Sequence, residues 1–259
     1  MDTVTKLARD VAPNVRQAVS IATMELAPKF GQRLIQDELV PLYLIFLNDS
    51  VVDVRLNVLN RLHLIAEWAP DMETTVLPAL MELSRDLQWR VRKAVVCAFP
   101  KLGEHVGAVY FKAHFLKIYL GAFTDLVGDV RASATASLSG LLTSLGSDFI
   151  LENIVPAVLK VYDTSQIYQE RVNTIHALRE LSVDSASSDL LAAVTTGAIK
   201  AARDKIPNVR ATAALVLGLL LKNVDDGMVP PIKDCLSELQ KDGDSDVRFN
   251  SQLSVETDR

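Results

Sequence analysis

The sequence predicts an all-α solenoid of about seven helix-pair repeats, and three observations carry that expectation: a recurring motif, its even spacing, and a composition suited to stacked helices. The motif is an Asp, four further residues, then Val-Arg. It occurs as Asp10 to Val15-Arg16, Asp49 to Val54-Arg55, Asp86 to Val91-Arg92, Asp125 to Val130-Arg131, Asp204 to Val209-Arg210 and Asp242 to Val247-Arg248. A seventh copy is degenerate, Asp163 followed by Glu170-Arg171-Val172, where either the Arg has slipped or the turn has gained a residue. Successive Asp residues lie 39, 37, 39, 38, 41 and 38 positions apart. A fixed period near forty residues is the signature of a stacked-repeat architecture. Each unit has one apolar segment ending at the Asp and another beginning at the Val-Arg, so each is read as two helices.

Composition agrees. Of 259 residues, 49% are hydrophobic and 23% charged, with only 11 Gly and 10 Pro, which suits a folded helical chain and excludes a disordered one. A net charge of −5 and a pI of about 5.4 give no sign of nucleic-acid binding or of an anionic membrane as partner. Mean hydropathy is high at +0.20. The longest apolar stretches, Leu39 to Leu47 and Ala213 to Leu221, are still much shorter than the ~20 residues of a spanning helix and are read as buried helices. Met1-Asp2-Thr3-Val4-Thr5-Lys6 lacks the basic-then-apolar order of a secretory signal. Cys97 and Cys235 sit in apolar helical contexts far apart, which fits core thiols in a reducing cytosol or nucleus.

Taken in order, the approximate repeats are 1–33, 34–70, 71–108, 109–147, 148–186, 187–226 and 227–259 within a single solenoid. In the first, Met1 to Arg9 allows a curtailed first helix and Asn14 to Phe30 the second. Glu38 to Asn48 and Val52 to Trp68 follow, with Val54, Val58, Leu62 and Ile65 at the spacing of one helical face. The third pair is Thr75 to Arg85 and Trp89 to Leu102, with Gly103 as its breaker. Val109 to Thr124 and Asp129 to Leu145 make the fourth, closed by Gly146; Phe149 to Tyr162 and Tyr168 to Leu181 make the fifth. The polar stretch Val183 to Ser188 is a loop in which Ser188 or Asp189 caps the sixth unit's first helix, Leu190 to Arg203. Asn208 to Lys222 is its second, and the seventh pair starts near Met228 and is cut after Val247-Arg248. Both terminal units are therefore expected to be incomplete, as in part of a longer array or a solenoid with covered ends.

Within each unit, Pro in the first helix (Pro41, Pro78, Pro156, Pro230-Pro231), Asp in the turn and Val-Arg at the start of the second helix resemble the HEAT repeat, and imply a HEAT/armadillo-like superhelix. The repeated residues read as structural: each Asp accepts from the exposed N–H groups of the following helix, and each Arg reaches a neighbouring unit's Asp. That gives a ladder of Asp10, Arg16, Asp49, Arg55, Asp86, Arg92, Asp125, Arg131, Asp163, Arg171, Asp204, Arg210, Asp242 and Arg248. It would set stacking register more than net stability. The turns between form a ridge, whose outlying member is Trp89-Arg90, with the composition of an interface anchor. The competing reading folds Trp89 back over its own helix pair.

A closer resemblance rests on Asp86-Leu87-Gln88-Trp89-Arg90-Val91-Arg92, Phe99-Pro100-Lys101-Leu102-Gly103 and Gly107-Ala108-Val109-Tyr110-Phe111. With Leu39 to Leu44, Asp53 to Val58, Asn208-Val209-Arg210 and Asp246-Val247-Arg248, these blocks are similar to the C-terminal half of the scaffold A subunits of protein phosphatase 2A. The resemblance implies a non-catalytic scaffold whose turns hold a Ser/Thr phosphatase catalytic subunit, with a regulatory subunit held by units absent here. It implies contacts from Gln88, Trp89, Arg90, Gly128, Asp129, Tyr168, Ile206, Pro207 and Asn208; Gly128 departs from the aromatic expected there. The expected setting is cytoplasmic, with the nucleus as the second compartment.

No cofactor, metal or catalytic residue is expected. The paired His-Glu dipeptides of di-iron HEAT-repeat hydroxylases do not occur, and His63, His105, His114 and His176 are scattered. Lys200 to Lys205 is the one basic cluster, and at a helix C-terminus it complements the helix dipole rather than marking nucleic acid. A transport receptor or chromosome-associated adaptor is the alternative, but Trp68 and Trp89 do not form the inner-helix series an importin-like cargo site would call for.

Overall fold

The computed structural model describes residues 2–30, 32–62, 72–183 and 186–256, and among these every regular element is a helix. None of the described helices is long and apolar enough to cross a membrane. The chain divides into two compact units, Met1–Tyr119 and Leu120–Arg259.

The first unit contains α1 (Asp2–Leu7), α2 (Pro13–Leu26), α3 (Val40–Leu47), α4 (Val52–Leu59), α5 (Met72–Leu83) and α6 (Trp89–His114), and α7 (Leu116–Ala122) begins in it. Its core is largely aliphatic and contains one aromatic cluster. Phe99 lies 5.7 Å from Phe111, 5.6 Å from Phe115 and 5.9 Å from Tyr119, and all four rings are fully buried. Tyr43 is buried too, its hydroxyl donating to the Thr23 carbonyl at 3.2 Å, and burial pushes its phenol pKa well above the ordinary range. The expectations that reach Leu64 to Asp71, including Ile65 and Trp68, lie outside the described residues, as does His63.

The second unit holds α8 (Gly128–Ala136), α9 (Leu138–Leu145), α10 (Val155–Thr164), α11 (Tyr168–Glu180), α12 (Ser188–Ala201), α13 (Pro207–Leu220), α14 (Val229–Leu239) and α15 (Ser245–Glu256). Its core is mainly aliphatic, with Leu138, Leu141, Ile154, Ile175, Leu178, Val194, Leu217, Leu220 and Leu236 fully buried. Here α13 packs most extensively on α15. A Cβ on Gly218 would stand 2.5 Å from the Ser254 Cβ and 2.9 Å from its Cα, so only glycine admits this approach. The Ser254 hydroxyl then donates across it to the Ala214 carbonyl at 3.0 Å.

Two first helices begin with the same device. A π-helical turn, Ile35–Leu39, leads into α3, and another, Ile150–Ile154, leads into α10. In each the next residue donates five residues back, Val40 to Ile35 and Val155 to Ile150, and Pro41 or Pro156 follows. Proline has no N–H and its ring presses on the carbonyl four residues earlier; a widened turn relieves both conflicts.

Helix ends correct the sequence reading at two places. Gly103, expected as a breaker, is buried inside α6, and the break falls at Gly107, whose φ of 75° and ψ of 170° suit a residue without Cβ. Gly146 closes α9 as expected, at φ 86°. The cap of α12 is Ser187 rather than Ser188 or Asp189: its hydroxyl accepts from the Leu190 N–H at 3.3 Å. Cys235 is buried as expected, with its thiol pKa raised by burial, but Cys97 is exposed, because its position on α6 faces away from the core.

Candidate partner-binding surface

Six of the turns between paired helices are each built by one Asp. Its Oδ1 accepts the N–H two residues on: Asp10 from Ala12 at 2.8 Å, Asp49 from Val51 at 2.8 Å, Asp86 from Gln88 at 2.7 Å, Asp125 from Val127 at 2.8 Å, Asp204 from Ile206 at 2.8 Å and Asp242 from Asp244 at 2.9 Å. This corrects the expected role. The carboxylate closes an Asx turn instead of capping the helix, because it stands two residues ahead of the position from which a cap reaches. Only α15 gains a side-chain cap within these turns, from Asp244 to the N–H groups of Asp246 and Val247 at 2.9 and 3.3 Å.

The Arg of each motif is held by its own turn, and several are held by the next turn as well. Its Nη1 donates back to the carbonyl six residues earlier, as in Arg16 to Asp10 (2.8 Å), Arg92 to Asp86 (2.7 Å) and Arg248 to Asp242 (2.7 Å). In Arg16, Arg55, Arg171 and Arg210 the remaining nitrogens reach the next turn's Asp. Arg16 grips Asp49 bidentately at 2.6 and 2.9 Å, and Arg55 meets Asp86 at 3.0 Å in the first unit. In the second unit Arg171 grips Asp204 at 2.9 and 3.3 Å and Arg210 grips Asp242 at 2.7 and 2.8 Å. These pairs are largely covered. The Arg16 guanidinium holds the Asp49 carboxyl below the usual range, and Arg210 does the same for Asp242. At Asp204 burial alone would raise the pKa, but the Ile206 N–H, Arg171 and the Tyr162 hydroxyl at 2.9 Å together bring it below the usual value.

Asp163 does not belong to the ladder. It is half exposed and pairs with Lys200 instead. Ser165 occupies the Asp position: its hydroxyl accepts from the Ile167 N–H at 3.0 Å and its carbonyl receives the Arg171 Nη1 at 3.1 Å, six residues back as elsewhere. The Arg had not slipped; the carboxylate was replaced.

The residues the ladder presents are those expected to meet a partner. In the first unit Leu87 is 97% exposed and Gln88 exposed. Trp89 opens α6 at 36% exposure, partly folded back, with the Lys93 ammonium 5.9 Å from its ring centroid. Arg90 lies beside it in a half-exposed ion pair with Asp53 at 3.6 Å. In the second unit Gly128 and Asp129 are exposed and Leu126 is 97% exposed. Tyr168 and Asn208 come together on one groove of about 360 Å³, also lined by Val172, Ala211, Asp246 and Asn250. Ile206 and Pro207 are only partly exposed. Sequence reasoning passed over Leu87 and Leu126, although the signal was present: both are apolar at the turn position where Ser50, Lys205 and Gly243 are polar or small.

Among the described residues no group of three or more His, Cys, Asp or Glu is placed to hold a metal ion.

No family model matches the sequence, and no curated protein matches it. Solved structures do. A crystal structure of importin beta in an ammonium sulfate condition aligns with a TM-score of 0.72 at 12% identity, over 98% of this chain and 35% of that one. Kap95p, from a study of how its binding induces the switch loops of RanGDP to adopt the GTP-bound conformation, aligns with a TM-score of 0.64 at 14% identity, over 99% of this chain and 34% of that one. The fold is an all-α HEAT-repeat solenoid. The chain spans about a third of the length of these solved chains, and at such identities the likeness speaks for the fold alone.

Proposed function

We propose that this chain is a non-catalytic scaffold that binds a 2A-type protein Ser/Thr phosphatase catalytic subunit through its helix-helix turns. The observation that carries the reading is the pairing of a rigid base with an apolar edge. Leu87, Trp89 and Arg90 project from a turn whose Asp and Arg are locked, so binding would order few side chains and waste little conformational entropy. Trp and Arg are the residue types that most often dominate interfaces. Tyr168, Ile206 and Asn208 supply further contacts in the second unit.

The test is calorimetric titration of this chain with a purified 2A-type catalytic subunit, beside the Trp89→Ala/Arg90→Ala double variant. Binding by wild type that weakens by about 2 kcal/mol or more in the variant, with unchanged circular dichroism, supports the scaffold reading. No binding by folded wild type removes it.

The second reading is the alternative drawn from the sequence, an adaptor of the transport-receptor kind, whose fold importin beta and Kap95p share with this chain. Association with a Ran-type GTPase, indifferent to the Trp89→Ala/Arg90→Ala change, would select it.

A further inference from the structure

The ladder of the second unit has a gap with an arginine on one side of it. Arg131 makes hydrogen bonds only from Nη1, to the Asp125 and Leu126 carbonyls at 2.6 and 3.2 Å. Among the described residues its Nε and Nη2 have no acceptor, whereas the same atoms of Arg16, Arg171 and Arg210 hold the next turn's carboxylate. The next turn after Arg131 is the one where serine replaces aspartate. Arg131 to Ser165 spans 34 positions, against 33 for Arg16 to Asp49 and for Arg171 to Asp204. Ser165 is half-buried in a three-residue loop beside exposed Gln166 and Ile167, so its hydroxyl lies at an accessible turn.

We infer that Ser165 is a phosphorylation site, and that its phosphate supplies the missing anion of the rung to Arg131. A phosphoserine carries close to two negative charges and three acceptor oxygens, which suits the two idle donor nitrogens of a guanidinium. A protein kinase would transfer the terminal phosphoryl group of a nucleoside triphosphate. The Ser165 Oγ–P bond forms, the bond from that phosphorus to the diphosphate oxygen breaks with its electron pair, and the hydroxyl proton passes to the kinase's base. One neighbour opposes the product: the Ser165 hydroxyl now donates to Glu170 Oε2 at 2.6 Å, and that carboxylate must turn away from the phosphate. The site therefore switches between two arrangements, hydroxyl to Glu170 or phosphate to Arg131. This inference is independent of which partner the turns bind.

The test places phosphoserine at position 165 of the full chain by genetic incorporation, in wild-type and Arg131→Gln backgrounds. The thermal midpoint is expected to rise by about 2–4 °C in wild type and not in Arg131→Gln. Ser165→Asp should recover a smaller part of the rise with the same dependence on Arg131, which keeps the comparison open if one variant folds poorly. Phosphorus NMR should find the second ionisation of the phosphate at lower pH when Arg131 is present. A rise of equal size in both backgrounds, or a fall in wild type, overturns the pairing. Mass spectrometry of the chain recovered from eukaryotic cells under phosphatase inhibition should find phosphate on Ser165; its absence there overturns the modification.

Discussion

The first unit gathers three rings around Phe99, while the second brings backbones close through glycine and aliphatic side chains, as at Gly218 against Ser254. Both nonetheless carry the same turn, closed by an Asp at all but the Ser165 turn, with the motif Arg bonded back to it each time. The difference teaches that the repeat specifies its turns closely and its interior loosely: volume can come from rings or from close backbones, provided the Asp and Arg keep their places.

The comparison can be broken first at the interiors. Phe99→Ala removes the hub of three ring contacts and should cost about 4 kcal/mol, seen in urea denaturation. Gly218→Ala should cost about 3 kcal/mol through the opposite fault, overpacking, because the obstructing Ser254 Cα is backbone. A Gly218→Ala protein as stable as wild type would show that α13 and α15 part without penalty.

The turns give a smaller and sharper contrast. Arg210→Ala leaves the covered Asp242 carboxylate without its partner and should cost about 2 kcal/mol. Arg131→Ala strands no carboxylate in the following turn and should cost about 0.5 kcal/mol. Equal losses in the two would mean that the backbone staple, common to both, carries the whole effect.

Acid should weaken both units together, with the least effect per group. Asp49, Asp204 and Asp242 have folded pKa values below their unfolded ones, so their contribution is present above the unfolded value of about 3.9 and is lost as pH falls through the folded values. Stability should be nearly flat from about pH 8 to 5 on their account and decline below about pH 4, with a shallower decline in Asp242→Asn.

Much of this was legible in the sequence, and the failures have physical causes. The Val-Arg starts were readable because the Val is buried in all but the first of the clean copies and the Arg bonds back to the carbonyl six residues earlier in every copy, which permits little drift. Gly103 and Gly107 were not separable, since a glycine at a helix end and one at a crowded position look alike until φ is known. Asp163 was chosen over Ser165 because an acidic side chain was expected, yet what the turn requires is an oxygen to receive the Ile167 N–H, and a hydroxyl supplies that. Pairing Tyr168 with Asn208 on one groove needed the stacking of α11 on α13, which spacing only suggests. Cys97 was misplaced because its immediate neighbours, Ala94-Val95-Val96 and Ala98-Phe99, are apolar, and a single residue seldom reveals its face.

The π turns ahead of Pro41 and Pro156 have a consequence for how such a chain lengthens over generations. A turn that closes over five residues in place of four stores one residue more without advancing the helix that follows. Ancestral insertions can therefore be absorbed at the far end of a first helix, while the Asp and Val-Arg downstream keep their positions.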